Sequence, residues 1–285
     1  MLIQKNIILA PYSTYKIGGE AKYLSISKTE DQMLESLRFA KSKNIKYLII
    51  GGGSNILFSD KGFDGLVIIN RLNQINYQND RVVVGSGTIF SLLIKQALEN
   101  NLGGMEKLFG IPGTIGGAIF QNAGAYNTEI GDLVEEVKII NDNIEIESKT
   151  RKDMCFSYRD SIIKHNNDIV LEVTLKLKKI SQNDSGKKLK EIMQTRNDDK
   201  PYGKSAGSFF KNPPNEKKAW ELIDECGFRG FELGYCKVSE KHTNFIINEG
   251  NATSKEILEL TSKIKQTVYD KTKIRLEEEV QIIPF

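Results

Sequence analysis

The sequence predicts an α+β protein, with helices and strands mixed along the chain and a compact α+β unit in the final third. Thr29 to Lys43 places Met33, Leu34, Leu37 and Ala40 at the three-and-four spacing of an amphipathic helix, then leads straight into an apolar strand, Tyr47 to Ile50. Ile169 to Leu177 alternates apolar and polar residues, the period of a strand with one face buried. Thr253 and Glu256 form a capping box ahead of a helix with Ile257, Leu260, Thr261, Ile264 and Val268 on one face.

The remaining elements follow in order. Thr29 caps the first helix. Leu66 to Ile69 and Val82 to Val84 read as short strands, and a helix from Phe90 to about Asn100 ends at Gly103. Val137 to Ile140 and Ile144 to Ile146 read as strands, and the polar run Ser181 to Lys188 as a linker at a domain boundary. Beyond it, Asn215 caps a helix through Cys226 that stops at Gly227 and buries Ala219, Leu222, Ile223 and Cys226. Phe245 to Ile247 and Val280 to Ile283 read as strands.

A chain of 285 residues is long enough for two or three cores. With 40 Lys and Arg against 37 Asp and Glu, its net charge of +3 gives no general attraction to nucleic acid or an anionic membrane. Any anionic ligand must therefore be held locally. Cys155, Cys226 and Cys236 are odd in number and lack C-x-x-C spacing, and His165 and His242 are the only histidines, which argues against a disulfide framework or a bound metal. Ile7 to Ala10 is too short for a secretory apolar core, and no stretch approaches the roughly 18 apolar residues of a membrane span. A cytoplasmic location is expected.

Two glycine loops carry the chemistry of anion binding. Gly51-Gly52-Gly53-Ser54-Asn55 follows a strand but fits neither G-x-G-x-x-G nor a P-loop. Consecutive glycines leave backbone N–H groups unshielded, so they can converge on a pyrophosphate, with Ser54 and Asn55 adding side-chain donors. Taken alone, an empty tight turn is the commoner outcome. A second loop, Gly110-Ile111-Pro112-Gly113-Thr114-Ile115-Gly116-Gly117-Ala118, followed by Gln121-Asn122-Ala123-Gly124-Ala125-Tyr126, lets a backbone run closely along a flat ligand, or lets a helix pack closely on a strand.

Three further segments hold candidate active-site groups. In Ser157-Tyr158-Arg159-Asp160-Ser161, Arg159 alone reads as a surface ion pair with Asp160 or another acid. In Ser205 to Pro213, Ser208 stands between a glycine and two aromatics; it can donate a proton in a water-poor pocket, while Lys211 and Asn212 can bind anionic or sugar oxygens. A turn entering a core strand is as good a reading of that nonapeptide. Arg275 to Val280 ends in a strand that puts Glu277 and Glu279 on one face, ordinarily a solvated edge. His242 lies in no triad motif and reads as a loop or substrate-contact residue.

In this order, Ser13-Thr14-Tyr15-Lys16-Ile17-Gly18-Gly19, "GGGSNIL", "GIPGTIGGAIFQNAGAY", "SYRDS", "SAGSFFKNP", "SEKHTNF" and "LEEEV" resemble the UDP-N-acetylenolpyruvoylglucosamine reductase family of peptidoglycan precursor synthesis. The resemblance covers nearly the whole chain. It implies a FAD-binding region of the vanillyl-alcohol-oxidase-like (PCMH) type in two subdomains, 1–65 and 66–180, and a smaller substrate-binding domain, 190–285. Gly51, Gly52, Gly53, Ser54 and Asn55 would hold the FAD pyrophosphate, with Pro112, Gly113, Thr114, Gly117 and Gly124 along the cofactor. No histidine stands in the glycine loop, so the flavin is expected to be non-covalent.

The implied reaction passes a hydride from NADPH through the flavin to the enolpyruvyl ether of UDP-N-acetylglucosamine enolpyruvate, building negative charge on the substrate carboxylate. By motif position, Arg159 and Glu279 would stabilise that charge and Ser208 would protonate the intermediate, with Tyr158, Lys211 and Asn212 as weaker candidates for substrate contact. A glutamate facing added negative charge makes sense if it is protonated or shares a proton. A pH–rate profile of Glu279→Gln enzyme identical to wild type throughout would count against that role.

No tyrosine-bearing lid insertion is evident after Ser161, which resembles the subtype lacking it. Three departures from the family pattern stand out: Ser13 before Thr14, Asn127 in place of glycine after Tyr126, and Leu233-Gly234-Tyr235-Cys236 in place of small residues. No nucleic-acid, membrane or further protein partner is expected, and the chain is expected to be a monomer. The competing readings are another FAD-dependent oxidoreductase of this fold, such as a sugar or alcohol oxidase using oxygen rather than NADPH and often a covalent flavin, and a non-catalytic binding module that would not need Arg159, Ser208 and Glu279 together.

Overall fold

The computed structural model describes residues 2–187, 190–191 and 201–285, and they form two compact units. The first gathers 1–4, 23–52 and 65–198; the second gathers 5–22, 53–64 and 199–285. One chain thus contributes to each unit from separated segments, and the division falls inside the first glycine loop, between Gly52 and Gly53.

In the first unit a five-stranded antiparallel sheet runs in the order Ile146–Thr150, Val134–Ile140, Ile169–Lys176, Arg81–Gly85, Ile75–Gln78. Ile169–Lys176 is central in it: Ile169, Val170 and Leu171 are all buried, where one buried face was expected, and burial alternates only from Glu172 onward. Val82, Val84, Val137, Val173 and Leu175 pack with Phe90, Leu93 and Ile94 of helix Phe90–Glu99 and with Ile115 and Ile119 of helix Ile115–Gln121. Ile140, Ile169 and Leu171 join Met33, Leu37 and Ala40 of helix Glu30–Ser42, together with Leu66 and Ile68. Thr29 caps that helix, its hydroxyl accepting from the Gln32 N–H. The strand Lys46–Ile50 then pairs in parallel with Phe63–Asn70, Ile50 opposite Ile69, and so brings the chain to Gly51.

In the second unit, helix Ser254–Thr272 carries the expected capping box of Thr253 and Glu256. A cap of this kind contributes about 1 kcal/mol, whereas Ile257, Leu260, Ile264 and Val268, all fully buried, contribute roughly 1.5–3 kcal/mol each. Burial therefore dominates. The strand Gln281–Ile283 pairs in parallel with Ile56–Phe58, and a three-stranded antiparallel sheet joins Glu232–Leu233, Cys236–Val238 and Ile246–Asn248.

Several expectations are corrected. The helix from Phe90 stops at Glu99 because Asn101, not Gly103, takes the left-handed turn (φ 57°), and Gly103 lies in the short strand Leu102–Gly103. Ile144 (φ 66°) sits in a turn closed by the Asn141 side chain, which accepts from the N–H groups of Asn143 and Glu145, so the strand is Ile146–Thr150. Residues 182–187 are helical where an irregular linker was expected, and Lys188 lies outside the described residues.

Asn215 (φ 59°) is in a left-handed turn, and helix Ala219–Glu225 is capped instead by Asn212, whose Oδ1 accepts from the Ala219 N–H at 3.0 Å. The lysine at the cap position, Lys218, has no side-chain acceptor, so Glu221 supplies only its half of a capping box, accepting from the Lys218 N–H. Residues 275–280 are irregular, with a single bridge from Glu278 to Phe210, and the last strand begins at Gln281. Among the described residues no helix is long and apolar enough to cross a membrane, and no cluster of His, Cys, Asp or Glu is arranged to hold a metal.

Candidate functional site

The first glycine loop is shaped by hydrogen bonds to its carbonyls. The Gly51 carbonyl accepts from Arg71 Nη1 at 2.9 Å, and the Gly53 carbonyl from the Thr14 N–H at 3.0 Å. A trans peptide turns its C=O and N–H to opposite sides, so these bonds aim the N–H groups of Gly52 and Ser54 away from Arg71 and Thr14. Among the described residues, Gly52, Gly53 and Asn55 donate no backbone hydrogen bond. Gly52 is exposed, and a Cβ there would stand 2.8 Å from the Gly113 Cα, so the loop meets the second glycine loop backbone to backbone. Gly53 needs its left-handed φ of +63° and could carry no Cβ, which would lie 2.0 Å from the Tyr12 carbonyl.

The second loop rests on residues 86–88. Gly113 accepts from the Phe90 N–H, while Ile115 and Gly116 donate to the carbonyls of Thr88 and Ser86 at 2.9 and 2.8 Å. Ser86, fully buried, donates from its hydroxyl to the Val170 carbonyl and accepts from Asn70. Thr114 is buried at the start of its helix, whereas beside Gly117 only one atom comes within 4 Å of where a Cβ would be, Thr114 Oγ1 at 3.8 Å. Outward N–H groups on bare backbone are the donor set a pyrophosphate takes, so these residues fit the anionic centre of FAD. Asn55 differs from its expected use: its side-chain N–H donates to the Glu279 carbonyl at 3.0 Å.

Arg159 sits at the tip of a two-residue turn closed by paired hydrogen bonds between Ser157 and Asp160, both 3.1 Å. Its φ of 54° is unusual for arginine. The guanidinium donates from Nη2 to the Gly124 carbonyl at 2.9 Å and lies 5.0 Å from the ring centre of Tyr158, which is 47 % exposed. Asp160 binds His165 rather than Arg159; partial burial pushes its carboxyl up, but the His165 contact, the Lys164 charge and the Ser161 N–H together hold it below the usual range. The guanidinium thus contacts Gly124, a residue expected along the cofactor, while Asp160 is held by His165. Asn127 (φ 56°) and Tyr126 (φ 50°) form the left-handed turn of the hairpin Gly124–Ala125 with Thr128–Glu129, and asparagine is the side chain that best replaces glycine there.

In the second unit, Ser208 and Glu279 stand on adjoining segments. The Glu279 N–H donates to the Phe209 carbonyl at 2.8 Å, and the Lys211 N–H to the Glu277 carbonyl at 2.8 Å. On the other side, Ser208 bridges Phe245, and the Asn244 side chain accepts from the Phe210 N–H at 2.9 Å while donating to its carbonyl at 2.8 Å. Phe209 and Phe210 are fully buried and anchor the segment, leaving Ser208 half-buried. Lys211 lies 3.4 Å from Glu277, an exposed pair of the kind that contributes at most about 1 kcal/mol and can be exchanged for a ligand anion. Asn212 uses its oxygen as the helix cap already described. The altered stretch Leu233 to Cys236 is a tight hairpin with Gly234 (φ 59°) at its turn and Cys236 buried, the thiol pushed up to about 11 by burial and by nearby Glu256.

Sequence reasoning missed Arg71, Ser86, Asn122 and Asn244 as supports. A glycine pair around Ser86 directly after a strand was a usable signal; Arg71 had none, because its target is a carbonyl 20 residues away.

Residues 198–283 match the C-terminal domain of UDP-N-acetylenolpyruvoylglucosamine reductase, and 21–147 match a FAD binding domain. The UDP-N-acetylenolpyruvoylglucosamine reductase of Chlamydia abortus is 40 % identical over 99 % of this chain and 95 % of its own length; that of Clostridium novyi is 36 % identical over 99 % and 92 %. The crystal structure of UDP-N-acetylenolpyruvylglucosamine reductase from Thermus caldophilus superposes with a TM-score of 0.86 at 32 % identity, covering 100 % of both chains. With likeness to these reductases sustained from end to end, the chain belongs to the UDP-N-acetylenolpyruvoylglucosamine reductase family.

Proposed function

We propose that this chain reduces the enolpyruvyl ether of UDP-N-acetylglucosamine enolpyruvate to UDP-N-acetylmuramate, with NADPH as reductant, in peptidoglycan precursor synthesis. The observation that carries the reading is the 40 % identity to a reductase of that name over 99 % of the chain. FAD, bound without a covalent link, supplies the hydride relay from NADPH to the substrate. Residues 1–65 and 66–180 serve FAD binding and 190–285 substrate binding, and the protein acts as a cytoplasmic monomer.

The chain's own residues then divide the work. Gly51, Gly52, Gly53, Ser54 and Asn55 bind the FAD pyrophosphate, and Pro112, Gly113, Thr114, Gly117 and Gly124 lie along the cofactor. Arg159 and Glu279 stabilise charge developing on the substrate carboxylate, the kind of fixed electrostatic aid that acts without reorganisation. Ser208 donates the proton. Tyr158, Lys211 and Asn212 contact the substrate, Asn212 while holding its helix.

The purified protein is expected to be yellow, to release its flavin on acid precipitation, and to oxidise NADPH in step with added UDP-N-acetylglucosamine enolpyruvate. Yellow retained in the acid pellet, or NADPH oxidation indifferent to that substrate, would overturn the reading in favour of another flavoenzyme.

A further inference from the structure

Asn122 ends helix Ile115–Gln121 in the left-handed conformation (φ 43°) and is 1 % exposed. Its side chain makes three hydrogen bonds: Nδ2 donates to the Ser157 carbonyl at 2.8 Å and to Glu129 Oε2 at 2.7 Å, and Oδ1 accepts from the Gly131 N–H at 3.0 Å. Ser157 is the foot of the two-residue turn that carries Arg159. Glu129 pairs with Gly124 across the hairpin, and the Gly124 carbonyl receives the Arg159 guanidinium. One buried carboxamide thus locates both the base of the arginine side chain and the acceptor that holds its far end.

We propose that Asn122 is a positioning residue for Arg159, setting the guanidinium in the place where it acts on the substrate. This rests on the reading that Arg159 serves the substrate-reducing step. A buried carboxamide with its donors and acceptor all engaged is rigid, and rigidity at the foot of a long side chain is what limits the wandering of its charged end. Misplacement of a reacting group by about 1 Å can lower a rate roughly 100-fold.

The test uses the FAD-loaded enzyme with Asn122→Gly, which keeps the left-handed backbone and removes the three bonds, and with Asn122→Asp, which keeps the shape but sets a carboxylate against Glu129 and the Ser157 carbonyl. Rapid mixing follows flavin reduction by NADPH and, separately, reoxidation by UDP-N-acetylglucosamine enolpyruvate, each also in an Arg159→Ala background. Flavin reduction is expected to stay within about twofold of wild type, and reoxidation to slow roughly 10- to 100-fold in both variants. With Arg159 already alanine, neither change should slow reoxidation further, because residues acting through one group are not additive. If both steps fall together, or if the losses multiply in the Arg159→Ala background, Asn122 merely supports the fold. If Arg159→Ala alone leaves reoxidation unchanged, the role of Arg159 fails and the proposal fails with it. Should Asn122→Gly not fold, Asn122→Asp decides by the same comparison.

Discussion

Purified Gly52→Asp protein is expected to lose its FAD, the ratio of flavin to protein absorbance falling before affinity for the UDP-sugar does. Two effects act together at this position. Any Cβ would stand 2.8 Å from the Gly113 backbone, closer than real Cβ contacts come, and two backbones cannot yield as a flexible side chain can. The carboxylate would also stand beside the Gly52 N–H, which the Arg71 bond to Gly51 turns outward and which is proposed to meet the pyrophosphate. Two unit charges about 4 Å apart at an effective dielectric of 20 repel by about 4 kcal/mol, equivalent to roughly a thousandfold in affinity. Gly52→Ala, which carries only the steric effect, should retain more flavin than Gly52→Asp. Titration of the apoprotein with FAD measures both, and a Gly52→Asp protein that stays fully yellow would show that this loop does not hold the pyrophosphate.

Ser208→Ala protein is expected to bind FAD and accept hydride from NADPH at the wild-type rate, yet to turn over UDP-N-acetylglucosamine enolpyruvate roughly 10²- to 10⁴-fold more slowly, the usual span for loss of a general acid. The segment is held by backbone bonds to Asn244 and Glu279 and by the buried rings of Phe209 and Phe210, none of which uses the Ser208 hydroxyl. The change should therefore alter stability by no more than about 0.5 kcal/mol. Thermal unfolding of the two proteins checks that point, and reoxidation kinetics check the chemistry. Reoxidation at the wild-type rate would remove Ser208 from the reaction.

Much of the fold was legible because its signals are local. The helix at Glu30–Ser42 and its Thr29 cap, and the helix at Ser254–Thr272 with its capping box, lie where apolar spacing and a cap residue put them. The errors fell where two local signals competed. Asn101 ended a helix ahead of Gly103, since asparagine also tolerates the left-handed turn. Asn212 capped a helix that Asn215 was expected to cap, because the chain turns at Asn215 and reaches back. Residues 275–280 were expected to end in a strand with Glu277 and Glu279 on one face, but among the described residues only Glu278 finds a bridge partner.

By itself, then, the sequence determined the class of fold and the capped helices Glu30–Ser42 and Ser254–Thr272, and it marked the glycine loops and the motif residues Arg159, Ser208 and Glu279 as candidates, because periodicity, capping and bare backbone act over a few residues. Only the tertiary structure decided that 5–22 and 53–64 join 199–285, that Asn55 binds a carbonyl 224 residues away, that Arg71 sets the peptide of the first loop, and that Arg159 turns to Gly124 rather than Asp160. Those choices turn on which backbone groups are left in need of partners once the strands have paired and the cores have closed, and no short stretch of sequence carries that information.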